Sequence, residues 1–280
     1  MKTQREKADL FHALHEGPCF ILPNPWDTGS ARLLASLGFP ALASTGAGFA
    51  FGQGLPDYSP SFEAMIEHLT MLAAATDLPL SGDLQNGFGD GAEDVQRTIR
   101  TAASCGLVGG SIEDATGRPE APIYSLAEAT DRIRAAVEAA KSLPFKFTLT
   151  ARAENHLHGR HDLTDTITRL QAYQEAGADV LFAPGLSSAA DIGTVVRAVD
   201  RPVNVIMGFH GAQLDLAALA DLGVKRVSVG GSLARAAYGA LLRAGRELRD
   251  QGTFGYASSA ISSKDIHALM AQPWNKPSSE

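Results

Sequence analysis

Two acids, Asp83 and Glu113, each stand where an apolar run gives way to polar residues: Leu80-Ser81-Gly82-Asp83 and Ser111-Ile112-Glu113-Asp114. If the two runs are neighbouring strands about 4.8 Å apart, their carboxylates converge on one point, and an all-oxygen set suits a hard cation, Mg2+ or Mn2+. The same acids could instead cap the following helices or pair with Arg152. Ser44-Thr45-Gly46-Ala47 can turn backbone amides toward a carboxylate or enolate oxygen, or can be an ordinary glycine-bearing turn. Arg152 carries a forked, permanent charge that matches a substrate carboxylate, and an ion pair with Glu154 or Glu113 is its structural alternative. Asn204 to Met207 end a later apolar run, and Asn204 joins the substrate-binding candidates.

These residues need elements that bring them to one rim. After a first helix, short apolar runs alternate with amphipathic stretches: 19–22, 41–44, 78–82, 107–112, 145–150, 179–182, 203–207 and 224–229, each followed by a helical pattern such as 60–76, 92–105, 126–141 or 163–176. Runs buried on both faces, separated by amphipathic helices, imply a parallel sheet, and eight such units close a barrel. The fold class is therefore α/β, a (β/α)8 TIM barrel with a C-terminal helical extension. An open doubly wound sheet uses the same grammar and is the alternative. Residues 1–280 form one domain, and 252–280 read as a tail for packing or oligomerisation. Gly38, Gly106, Gly177 and Gly223 stop helices at the opposite end from the chemistry.

The absences also inform. A net charge of -7 gives no field for nucleic acid or anionic lipid, and no apolar run approaches the roughly 18 residues that span a bilayer. Cys19 and Cys105 make no disulfide framework, so a cytoplasmic setting is expected. Lys146 and Lys225 fall at strand starts, away from the rim, which leaves no Schiff-base lysine. His156, His158 and His161 cluster in one loop, either as metal donors or as solvated polar residues. His210 is an acid or base candidate, and Gly230-Gly231-Ser232 is either a phosphate cradle or close helix packing.

Leu22-Pro23-Asn24-Pro25-Trp26-Asp27, Ser44-Thr45-Gly46, Gly54-Leu55-Pro56-Asp57, Asp83 to Gly89, Ile112-Glu113-Asp114 and Ala151-Arg152, in this order, resemble the isocitrate lyase and phosphoenolpyruvate mutase superfamily from about Phe11 to Leu248. The resemblance implies a magnesium enzyme that stabilises an enolate of pyruvate or a relative, usually a tetramer with an exchanged terminal helix. Asp83 would bind the metal directly, with Asp57 and Glu113 holding its waters. Thr45, Gly46 and Ala47 would bind oxyanion and carboxylate, and Arg152 would anchor substrate. Gln85 replaces the second acid of the family's metal motif, which should weaken the ion although an amide oxygen still accepts from a metal-bound water. The cysteine-bearing gate of the isocitrate and methylisocitrate lyases is absent after Asp114, where Ala115-Thr116-Gly117-Arg118-Pro119 stands instead. The expectation is a lyase or decarboxylase of a small 2-oxo or 2-hydroxy dicarboxylate, with Tyr124, Glu154 or His210 returning the proton. The alternatives are phosphorus–carbon chemistry, with Thr116 and Arg118 on a phosphonyl group, and a 2-oxo acid binding protein without turnover. A homo-oligomer, tetramer or dimer, is expected.

Overall fold

The computed structural model describes residues 2–209 and 214–271. Its strands are β1 (Phe20–Leu22), β2 (Leu42–Ala43), β3 (Leu80–Asp83), β4 (Gly109–Glu113), β5 (Thr148–Arg152), β6 (Val180–Phe182), β7 (Val203–Ile206) and β8 (Arg226–Ser228). All pair in parallel, in the order β1-β8-β7-β6-β5-β4-β3-β2. The helices are α1 (Gln4–Leu14), α2 (Thr28–Ser36), α3 (Gly46–Gly52), α4 (Phe62–Ala75), α5 (Ala92–Ser104), α6 (Leu126–Lys141), α7 (Leu163–Ala176), α8 (Ala189–Ala198), α9 (Leu216–Asp221), α10 (Ser232–Gln251) and α11 (Ser263–Met270).

The ring of strands nearly closes, and one side chain spans the gap between β1 and β2. Ala43 N–H donates to Pro23 O at 3.0 Å. Asn24 Nδ2 donates to Ser44 O at 2.9 Å, while Asn24 Oδ1 accepts from Val229 N–H and Gly230 N–H at 2.8 and 2.9 Å. The open doubly wound sheet is thereby excluded. Several strands begin later than the apolar runs imply: β3 starts at Leu80, after Pro79, which has no N–H to give a ladder. The same strands also end later than those runs, with Asp83, Glu113 and Arg152 as their last residues.

The helices wrap the sheet over an apolar layer that includes Leu84, Ile99, Leu107, Phe147 and Tyr173. Gly177 ends α7 in the left-handed conformation at φ 106°, as expected of a helix-stopping glycine. Asp114, next to Glu113, is spent on structure: it accepts from Arg169 Nη1 at 3.0 Å, Tyr173 Oη at 2.7 Å and Glu154 N–H at 2.7 Å, tying α7 to the rim. Past β8 the packing thins. The 20-residue α10 has Ala234 as its one buried residue, and Leu241 and Leu242 are 65% and 57% exposed. Arg32 Nη1 holds the end of α11 to α2 through Met270 O at 2.7 Å. No described helix is long and apolar enough to cross a membrane.

Candidate active site at the barrel mouth

The carboxyl ends of the strands surround a cavity of about 490 Å³, whose walls include Ser44, Thr45, Ala47, Asp57, Asp83, Arg152 and Asn204. Its electrostatic centre is Arg152. Nη1 lies 3.0 Å from Asp83 Oδ1 and 3.1 Å from Glu113 Oε2, and Nη2 lies 2.7 Å from Glu154 Oε1. Burial works against that charge, but Glu113, Glu154 and Asp83 together outweigh it and keep the guanidinium ionised. Burial likewise raises the carboxyls of Glu113 and Glu154; Arg152 pulls both down, and nearby acids push them up. Asp57 is raised by burial and then by Asp83.

Asp83 is held from three sides. Its Oδ2 accepts from Gly46 N–H at 2.9 Å, its own N–H donates to Ser44 Oγ at 2.8 Å, and Arg152 takes Oδ1. Gly46 begins α3 behind the Thr45 cap, and a side chain there would meet Asp83 Oδ2 at 3.3 Å and Gln85 Nε2 at 3.4 Å. The Gly46 amide therefore serves Asp83 here, leaving Ser44, Thr45 and Ala47 as the part of that turn on the cavity wall. Arg152 thus faces the cavity and is at the same time paired with acids.

Gln85 and Glu113 sit behind the cavity wall. Gln85 is buried in the left-handed region at φ 49°, and its Nε2 has no hydrogen-bond partner. Glu113 Oε1 accepts from Tyr58 Oη at 2.5 Å, a contact that closes the loop carrying Asp57 over the mouth. Tyr58 has φ 63°, unusual for a bulky residue, so this loop conformation is held at a cost. Sequence reasoning passed over Tyr58; an aromatic beside Asp57 in a proline-rich loop was the available signal.

Other expected participants lie elsewhere. Tyr124 Oη donates to Asp90, and Arg118 pairs with Asp90 at 2.5 Å, both away from the mouth. Thr116 Oγ1 is spent on Ala121 O at 2.6 Å. Of the clustered histidines, His158 lines the cavity, whereas His156 and His161 contact each other edge to face. His210 lies outside the described residues. Lys146 pairs with Asp179 and Lys225 donates to Gly17 O, both at the far end of the barrel, and both cysteines are free thiols.

Among the described residues no three His, Cys, Asp or Glu side chains form a ready-made metal cage. The donor chemistry still fits a hydrated hard cation: Asp57, Asp83, Glu113 and Glu154 crowd around one arginine, an excess of negative charge that a divalent ion would neutralise. Magnesium keeps several waters and needs few direct protein ligands.

Known proteins place this geometry. A Burkholderia cenocepacia J2315 protein designated only in general terms, as a lyase/mutase, is 58% identical, with a TM-score of 0.95 over 96% of this chain and 97% of that one. Oxaloacetate decarboxylase of Pseudomonas fluorescens is 29% identical over 264 residues, 91% of this chain and 88% of that protein. Phosphonopyruvate hydrolase, in a crystal structure with oxalate and Mg2+, is 25% identical, with a TM-score of 0.84 over 94% of each chain. The model of the phosphoenolpyruvate phosphomutase family matches residues 11–249. The chain belongs to that family, and through it to the isocitrate lyase and phosphoenolpyruvate mutase superfamily.

Proposed function

We propose that this chain is a magnesium-dependent carbon–carbon lyase or decarboxylase of a small 2-oxo or 2-hydroxy dicarboxylate, working through an enolate. Membership of the superfamily makes it an enzyme of the lyase type. The observation that carries the finer reading is the crowd of acids around Arg152 at the cavity wall. Asp83 would hold a divalent cation, with Asp57, Glu113 and Gln85 holding its waters. When bound, that ion offsets the charge growing on the enolate oxygen.

The chain's own residues supply the rest. Arg152 faces the cavity while paired with Asp83, Glu113 and Glu154, and would offer its charge to the substrate carboxylate. Thr45 caps α3 and Ala47 stands in its first turn; with the Gly46 N–H given to Asp83 and the Gly48 N–H to Thr45 Oγ1, the Ala47 N–H suits an anionic oxygen. Glu154 stands at the cavity wall beside Arg152, its carboxyl raised by burial, and would be the acid that returns a proton to the third carbon. Carbon–phosphorus cleavage is disfavoured, because Thr116 and Arg118 are engaged away from the cavity.

The test offers oxaloacetate and phosphonopyruvate side by side with magnesium and follows pyruvate release. Oxaloacetate should be turned over and phosphonopyruvate left intact. Asp83→Ala should cut turnover by about 100-fold with an unchanged melting temperature. Failure to release product from any 2-oxo or 2-hydroxy dicarboxylate would overturn the proposal.

A further inference from the structure

The floor of the cavity carries a charge that the protein itself leaves unbalanced. Arg226 of β8 lines the cavity and is only 4% exposed. Its guanidinium contacts uncharged groups: Nε donates to Asn204 Oδ1 at 2.8 Å, Nη2 donates to Thr150 Oγ1 at 2.9 Å, and Nη1 lies 3.3 Å from His15 Nε2. His15 Nδ1 lies 2.9 Å from Phe11 O, an acceptor, which places the ring proton on Nδ1 and leaves Nε2 to accept from Arg226. Among the described residues no carboxylate pairs with Arg226, whereas the buried Arg152 and Arg169 both have acids at hand.

A buried cation without a counter-charge is costly, and three neutral acceptors take three of its five N–H groups without cancelling its charge. Local breaches of this kind are expected where a ligand completes the site. The arginine also sets its neighbour. Because Asn204 Oδ1 is taken by Arg226, the Asn204 amide nitrogen turns to Ser228 Oγ at 3.0 Å, and all three residues line the cavity. The floor thus combines positive charge with an oriented amide and a hydroxyl.

We propose that Arg226 makes the cavity floor an anion subsite that takes the second carboxylate of the substrate, and that it is the residue selecting dicarboxylates over monocarboxylates. This rests on the reading above for the 2-oxo acid end, where Arg152 and Asp83 stand.

Calorimetry in magnesium separates the two ends. Oxalate probes the mouth alone, and 3,3-difluoro-oxaloacetate probes both mouth and floor. Arg226→Gln should weaken 3,3-difluoro-oxaloacetate by about tenfold or more while leaving oxalate within about twofold, with Arg226→Lys between them. In turnover, KM should rise more than kcat falls. Equal losses for both ligands would make Arg226 purely structural, and no loss for either would remove it from the site. Should the variants fail to fold, the unmodified protein decides: 3,3-difluoropyruvate, which lacks the far carboxylate, must bind about tenfold more weakly than 3,3-difluoro-oxaloacetate. Absence of that preference, including absence of binding by both, overturns the proposal. Lack of oxaloacetate cleavage alone would count against the lyase reading and leave this comparison decisive for the floor.

Discussion

Gln85 departs from its family's acid, and its surroundings say what the departure does. The side chain is buried, Nε2 has no partner, and the backbone sits at φ 49°, where aspartate is better tolerated than glutamine. Gln85→Asp should therefore tighten magnesium about tenfold, since a carboxylate returns charge to the ion's water shell. Titration of magnesium by calorimetry checks this, and unchanged affinity would show that residue 85 does not face the ion. Turnover on the native substrate should fall, because the amide donor behind the cavity wall is lost and a further carboxylate crowds Asp83 beside it. A rise in both would mean that the glutamine merely weakens the ion. Asp83 and Arg152 were legible as rim residues because they end apolar runs. Their mutual pairing was not, since which acid an arginine reaches depends on strand register.

Two elements are held by single side chains, and each holding is testable. Asn24 links β1, β2 and the end of β8, and in Asn24→Ala the N–H groups of Val229 and Gly230 and the carbonyl of Ser44 lose their partner. A loss of about 2–4 kcal/mol in urea unfolding is expected, and a change below about 0.5 kcal/mol would mean that the strand ladders hold the seam unaided. Beyond α1, His15 is buried under Arg226, and burial, then Arg226, depress its pKa to about 3. The unfolded chain protonates this histidine below about 6.5 while the folded one resists, so its contribution is whole above 6.5 and is lost as pH falls toward 3. Between pH 7 and 5 the wild type should lose about 2 kcal/mol more than His15→Gln, read from urea midpoints at each pH. The comparison with the variant matters, because the raised Glu113 acts in the opposite sense, adding stability as pH falls. Parallel pH profiles would show that His15 is protonated in the fold. A short helix before the first strand was legible from its pattern; its role as a plug under an arginine was not.

At the scale of the whole molecule, α10 packs on α3 at its start, where Ala234 is buried, and is largely open along the rest of its length. A 20-residue helix extends about 30 Å, and this one leaves Leu241, Leu242 and Leu248 exposed, with Phe254 beyond it 69% exposed. If the homo-oligomer that the sequence leads one to expect forms, this apolar face would be its docking surface. Leu241→Asp with Leu242→Asp should shift the protein toward monomer in sedimentation velocity with little change in melting of the barrel; an unchanged assembly would place the interface elsewhere. The barrel itself was readable along the chain, because the alternation of doubly buried strands with amphipathic helices is a local property repeated eight times. So was the rim, because strand carboxyl ends can be located one unit at a time. Only the closed sheet decided the rest. Arg226 and Asn204 pair across β7 and β8, yet Glu113, Arg152, Phe182, Asn204 and Arg226 follow one another in register from β4 to β8. The stagger between neighbouring strands sends that line from the mouth to the floor, and stagger is a relation among strands distant in sequence that no single stretch of residues encodes.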